Sequence, residues 1–145
     1  MISKIYKEKD NRPSLLEDEF NQIAVDFDGV LHACSKGYHD GTIYDKPISG
    51  SLKAIKQMAQ KYKIVVYSAK ARQDRPLVNG KTGIELIWEW LEVHGFKEYI
   101  SDVTAEKPRA ICYIDDRAVN FTSWDQTLKF LGEKLIKFDL GGTKQ

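Results

Sequence analysis

The sequence predicts a doubly wound α/β domain, a parallel sheet of about five strands with helices on both faces. Short, nearly continuous apolar runs recur along the chain, IAVDF from Ile23, KIVVY from Lys63 and AICYI from Ala110. Runs of this kind suit strands covered on both faces of a parallel sheet. Between them lie segments whose apolar residues fall at helical spacing. No segment repeats, and 145 residues are enough for one domain with its own core.

The order of elements follows from local signals. Residues 1–21 form a charged arm with one short helix expected at 14–20, where Ser14 and Glu17 have capping-box spacing. The core is expected from 22 to 140, opening with a strand at about 22–27 that Gly29 ends. Residues 31–46 are rich in Gly, His, Asp and Tyr, and Asp40-Gly41 sits where a tight hairpin turn wants it, so a small hairpin flap is expected after the first strand. Beyond Pro47 and Gly50, a helix places Leu52, Ile55, Met58 and Ala59 on one face. A second strand, KIVVYS, follows at 63–68. A polar loop then leads to the clearest helix, with a Thr82/Glu85 capping box, an Ile84, Ile87, Trp88, Leu91 face and a stop at Gly95. A weak strand at 99–104, a strong one at 110–115, a short helix at 123–131 and a last strand, KLIKFD, at 134–139 complete the pattern, and residues 141–145 read as a tail.

Composition excludes some functions. With 22 basic and 21 acidic residues the net charge is +1, so bulk electrostatics argues for neither nucleic acid nor an anionic membrane. No apolar run is long enough to span a bilayer, and MISKIYKEKD lacks the centre of a secretory signal, so a soluble cytoplasmic protein is expected. Cys34 and Cys112 are far apart and read as reduced thiols, Cys112 as core packing. No obligate protein partner is indicated, and self-association stays open.

Ligands of such sheets bind at the carboxyl ends of the strands. There the sequence supplies Asp26 and Asp28, then Ser68, then Asp115 and Asp116. One Asp after a strand is ordinarily a turn former or cap, and one Ser is satisfied by backbone. Four carboxylates converging in a partly dry crevice repel one another unless a cation or shared protons intervene. That set of oxygen ligands implies a hard divalent metal, magnesium first.

These residues resemble the motifs of the haloacid-dehalogenase-like (HAD) phosphohydrolases, from Ile23 to about Asp139. DFDGV is similar to the first motif, which implies Asp26 as nucleophile and Asp28 as general acid and base. VVYS resembles the second, with Ser68 bonding the phosphoryl group, and Lys107 in EKPRA falls where the third motif's lysine neutralises charge. YIDDR resembles the acidic fourth motif; the resemblance implies Asp116 as direct metal ligand beside Asp26 and Asp28, with Asp115 behind it. Asn120 departs from members that carry another acid there. The implied chemistry is phosphoryl transfer in two steps through an aspartyl-phosphate. It requires Asp28 to be protonated at the outset, its pKa raised by its environment, while the metal keeps Asp26 ionised.

The intervals after the first and second motifs leave no room for a large cap domain. In the family a capless, open site accompanies large substrates such as nucleic-acid ends or phosphoproteins, or oligomers that lend each other a lid. IDDRAVNF further resembles the phosphatase domain of polynucleotide kinase-phosphatases, although no GxxxxGK[ST] kinase loop is present. The expected substrate is therefore a phosphorylated nucleotide or a nucleic-acid 3′-phosphate end. Its expected contacts are Ser68, Ala69, Lys70 and Arg72 on the loop after the second strand, with Lys107 and Arg117; Arg75 could join them along a phosphodiester backbone. A solvated basic loop is the competing account. His32, Cys34, His39 and Asp40 lack a recognised zinc spacing and read as polar hairpin residues. Trp124 reads as an anchor for the last helix. Two other functions stay open at this level, a phosphomutase and a non-catalytic phosphate- or metal-binding regulatory domain.

Overall fold

The computed structural model describes residues 20–135. The helix expected at 14–20 lies outside them except for Phe20, as do the tail and all but two residues of the expected last strand. The elements in chain order are β1 (Gln22–Asp26), α1 (Ser51–Ala59), β2 (Lys63–Tyr67), a 3₁₀ turn (Ala69–Ala71), α2 (Gly83–Val93), a second 3₁₀ turn (Lys97–Tyr99), β3 (Asp102–Thr104), β4 (Cys112–Ile114) and α3 (Trp124–Lys134). Among the described residues no helix is long and apolar enough to cross a membrane.

The sheet is parallel throughout, in the order β3-β2-β1-β4. The chain steps from β1 outward to β2 and β3, then returns to the other flank of β1 for β4. Strand order therefore reverses between β1 and β4, and a crevice opens outside their carboxyl ends at such a switch point. Both acidic pairs of the sequence sit there.

β1 and β2 are apolar and buried at their three central residues, as their continuous apolar runs require. They pack with Phe27, Ile55, Ile87, Trp90, Leu91 and Phe96 into one core. α2 begins with the expected capping box, Thr82 with Glu85. Its buried face is Ile87, Trp90 and Leu91, and Trp88 is only partly covered. Trp90 can go inside because its indole N–H finds an acceptor, the half-buried Asp45 carbonyl at 2.8 Å.

Four expectations need correction. Among the described residues the sheet has four strands: Lys134, the first residue of KLIKFD, is the last residue of α3, and of the rest only Leu135, which caps the helix, is described. β4 is an edge strand of this sheet, and Cys112 is exposed instead of packed in the core, while α3 buries none of its residues. Trp124 is 70% exposed and meets Phe121 edge-on.

The flap is a closed loop and not a two-stranded hairpin. Its legs meet at a single antiparallel bridge, His32 with Pro47, reinforced by Ala33 N–H to Lys46 O at 3.0 Å and Ile48 N–H to Leu31 O at 2.8 Å. The turn at its tip is Tyr38 to Gly41, closed by Gly41 N–H on Tyr38 O, so His39 and Asp40 are its central pair and not Asp40-Gly41. Asp45 and Tyr44 compete successfully with a ladder: they take Ser35 N–H and Oγ–H, and Lys36 N–H, respectively.

Candidate active site

β1 delivers Asp26 to the crevice, its carboxylate Oδ1 accepting the Phe27 N–H at 2.8 Å. Oxygens of Asp26, Asp115 and Asp116 all lie within 4.8 Å of one another. Burial pushes the Asp26 carboxyl up to about 6, against the Phe27 bond, and the charges of Asp115 and Asp116 push the same way. Asp26 and Asp116 stand within hydrogen-bonding reach, an approach that needs a shared proton or a cation.

Asp115 and Asp116 differ. Asp115 has both oxygens committed, Oδ1 to Arg117 N–H and Oδ2 to the Tyr67 hydroxyl, each at 2.8 Å. These bonds, Arg117's first, hold its carboxyl below the usual range. Burial and the bond to Asp115 keep Tyr67 a phenol. Asp116 instead faces Asp26 across Gly29: a Cβ on Gly29 would come within 2.4 Å of Asp116 Oδ2. Gly29 also holds φ at +83°, so any other residue would be strained as well as in the way.

After Gly29 the chain turns back through bonds to Phe27 O, which brings Asp28 alongside. Its carboxylate is held from two sides. Lys70 Nζ donates across both oxygens, 3.1 Å to Oδ1 and 3.0 Å to Oδ2, and His32 Nδ1 lies 2.8 Å from Oδ1. Burial works to raise Asp28, but the bonds from His32 and Lys70 and the charge of Lys70 outweigh it, and the carboxyl lies below its ordinary value. The expectation of a raised pKa is thus reversed, because a buried cation, 7% exposed, pairs with this carboxylate.

Ser68 ends β2 buried in extended conformation and caps the turn that carries Lys70, its Oγ accepting the Lys70 N–H at 3.1 Å. That bond uses an oxygen lone pair and leaves the hydroxyl hydrogen for an acceptor in the crevice. The turn rests on α2 at Gly83, where a Cβ would fall 1.6 Å from Lys70 O.

A cavity of about 460 Å³ unites these groups, lined by Asp26, Asp28, Asp116, Ser68, Ala69 and Lys70, with Arg117 of the expected contacts also on its wall. The flap adds Cys34 and Tyr38, and Arg75 lies over the Tyr38 ring at 4.7 Å. Two expected residues are not brought in. Lys107 is exposed with its ammonium 4.2 Å from the Tyr113 ring centre, on the Asp115 side. Arg72 turns outward into a two-bond pair with Asp74. A second cavity of about 280 Å³ has no ionisable side chain in its wall.

Sequence reasoning missed His32, which is 0% exposed and bonded to Asp28. The signal was its place between Leu31 and Ala33 four residues after Asp28. Atoms of Asp28, His32 and Cys34 lie within 4.8 Å of one another. They do not make a zinc site as they stand: Nε2 accepts the Asp45 N–H at 3.0 Å, so Nδ1 carries the proton and has no lone pair for a metal.

No protein-family model, curated protein or solved structure matches the chain.

Proposed function

We propose that this chain is a magnesium-dependent phosphomonoester hydrolase of the HAD-like kind, working through an aspartyl-phosphate on Asp26. The observation that carries the proposal is the convergence of Asp26, Asp28, Ser68, Lys70 and Asp116 on one cavity at the switch point of the sheet. Asp26, Asp115 and Asp116 suit magnesium: the donors are all oxygen, and the crowding of Asp26 and Asp116 is of the kind a cation relieves. Bound there, magnesium would screen the approach of phosphate to carboxylate. The cavity wall carries Asp26, Asp28 and Asp116 against Lys70, Arg75 and Arg117, so a divalent cation would leave a balance suited to a phosphomonoester dianion.

An Asp26 oxygen attacks phosphorus in line, and the bond to the ester oxygen breaks as that oxygen takes a proton from Asp28. Water then gives a proton to Asp28 while its oxygen attacks phosphorus, releasing phosphate and the Asp26 carboxylate. Ser68 and Lys70 donate to the non-bridging oxygens. The ionised form of Asp28, which His32 and Lys70 favour, is the form the second step needs. For the first step, the arriving dianion adds negative charge beside Asp28 and competes for Lys70, and both effects raise its affinity for a proton.

A nucleotide or nucleic-acid 3′-phosphate end is the substrate class we favour. Its support is the Tyr38 ring, 51% exposed on the cavity wall, together with Arg75 and Arg117. An aromatic face stacks a base and guanidinium groups hold phosphate oxygens. The test is phosphate release, with and without magnesium, from nucleotides, sugar phosphates and 3′-phosphorylated oligonucleotides, with Asp26→Asn as blank. Magnesium-dependent release that the variant lacks is expected; no release from any ester would overturn the proposal, and release from sugar phosphates alone would overturn the substrate class.

A further inference from the structure

Three polar or charged residues are buried among those described: Ser68, Lys70 and His32. The first two line the cavity, whereas His32 does not. Its ring is enclosed by Phe27, stacked at 5.5 Å and 16°, and by Tyr44 and Trp90, whose edges or faces meet it at 5.1 Å and 5.8 Å. A buried imidazole in an aromatic cage must satisfy both nitrogens, and the identity of its partners decides what it does.

One partner fixes the proton. The Asp45 peptide N–H can only donate, so Nε2, 3.0 Å away, is the acceptor nitrogen. Nδ1 then carries the hydrogen and donates it to Asp28 Oδ1 at 2.8 Å. A flipped ring would lose both bonds. The Asp45 backbone is held on its other side as well, since its carbonyl, in the next peptide group, accepts the Trp90 indole N–H at 2.8 Å. A continuous set of bonds thus runs from α2 through the base of the flap to a carboxylate in the cavity wall.

We infer that His32 is a positioning residue that aims Asp28, its Nδ1–H occupying one carboxylate oxygen so that the other faces the reacting ester; this rests on the activity proposed above. Oδ1 receives both His32 and Lys70, while Oδ2 receives Lys70 alone. Oδ2 is therefore the oxygen that exchanges the proton with leaving group and water. A histidine that merely stapled the loop would need a structural acceptor, and its acceptor here is instead the second aspartate of DFDG.

The test uses the full chain and two esters, an alkyl phosphate whose leaving group needs a proton and p-nitrophenyl phosphate, which does not. His32→Phe keeps the ring in its cage and removes both bonds; His32→Asn restores an N–H near Nδ1. For His32→Phe, kcat on the alkyl ester should fall on the order of a hundredfold, with a loss of only a few-fold on p-nitrophenyl phosphate and little change in KM. His32→Asn should recover much of the alkyl-ester rate, and adding His32→Phe to Asp28→Asn should cost nothing more. Equal losses on both esters, or no recovery by His32→Asn, would overturn the inference. Independently of turnover, long-range proton–nitrogen spectra of the wild-type protein should find hydrogen on Nδ1; hydrogen on Nε2 would overturn it. An inert wild type with hydrogen on Nδ1 would support the hydrogen-bond arrangement and sink the phosphatase reading instead.

Discussion

Asp26 and Asp28 lie two residues apart at the end of one strand, and their surroundings are opposite. Asp26 faces two further carboxylates and is pushed up to about 6. Asp28 faces a buried lysine and a histidine N–H and is held low. One half of the crevice is thus built to lack a positive charge and the other already contains one. Carboxylates whose environments drive them apart are the usual sign of divided labour in a site. The half that lacks a cation is where one would bind.

Removing the unneutralised carboxylate should have the largest effect. Asp26→Asn should lower turnover by at least about three orders of magnitude. The same variant should stabilise the metal-free fold at neutral pH. A carboxyl raised above its unfolded value binds protons better when folded, so the folded state is favoured at low pH and loses ground as pH rises through about 6. After discounting for solvent, the gain for Asp26→Asn above that pH should be about 1–2 kcal/mol. It should vanish near pH 4, and magnesium should stabilise the wild type far more than the variant; thermal melts against pH check all three. A wild type equally stable at pH 5 and pH 8 without metal would contradict the contrast.

The next effect divides the acidic pair. Asp116→Asn should abolish the response to magnesium. Asp115→Asn, which disturbs a group whose oxygens serve Tyr67 and Arg117, should raise the magnesium needed by only about tenfold to a hundredfold. Magnesium titrations of phosphate release compare them, and the reverse order would exchange their roles.

Gly83→Ala breaks the neutralised half from a distance. The new methyl would meet Lys70 O at 1.6 Å, so the turn must move and Lys70 with it. A cost of about 1–3 kcal/mol is expected from overpacking. A displaced Lys70 should lower turnover on the order of tenfold to a hundredfold. A melt and a rate measured together check this, and an unchanged rate would mean that Lys70 need not hold Asp28.

The sequence made the half of the site on β1 and β4 legible, and the other half much less so. Apolar runs ending in aspartates are a local pattern, and the parallel order of the strands brings them together whatever the details. The Asp28 environment depends on three long-range placements: Lys70 folded inward by a 3₁₀ turn, His32 caged by Trp90, and Asp45 returning from the flap. No local pattern encodes these, so Lys70 reads only as one of several basic substrate contacts on its loop, not as the partner of Asp28, and His32 as flap polarity. Lys107 misleads for the opposite reason: its place in the motif order suggests the crevice, but its ammonium lies over the Tyr113 ring. The strand β4 is legible but the exposure of Cys112 and Tyr113 is not, because apolar composition cannot reveal that a strand lies at an edge of the described sheet.

The smallest expected effect separates two arginines on the Lys70 loop. Arg72 is exposed and spends its guanidinium on Asp74. An exposed pair contributes little, so Arg72→Ala should change stability by less than about 0.5 kcal/mol and oligonucleotide turnover by less than about twofold. Arg75 lies over Tyr38 on the cavity wall. Arg75→Ala should raise KM for a 3′-phosphorylated oligonucleotide about tenfold, the loss of one phosphate contact, and KM for a small ester much less. Comparing the two variants on both substrates also tests how far positive charge extends from Lys70. Equal effects of Arg72 and Arg75 would mean that the loop acts as a diffuse basic surface, with charge near Asp28 organised no more specifically than on its solvent side.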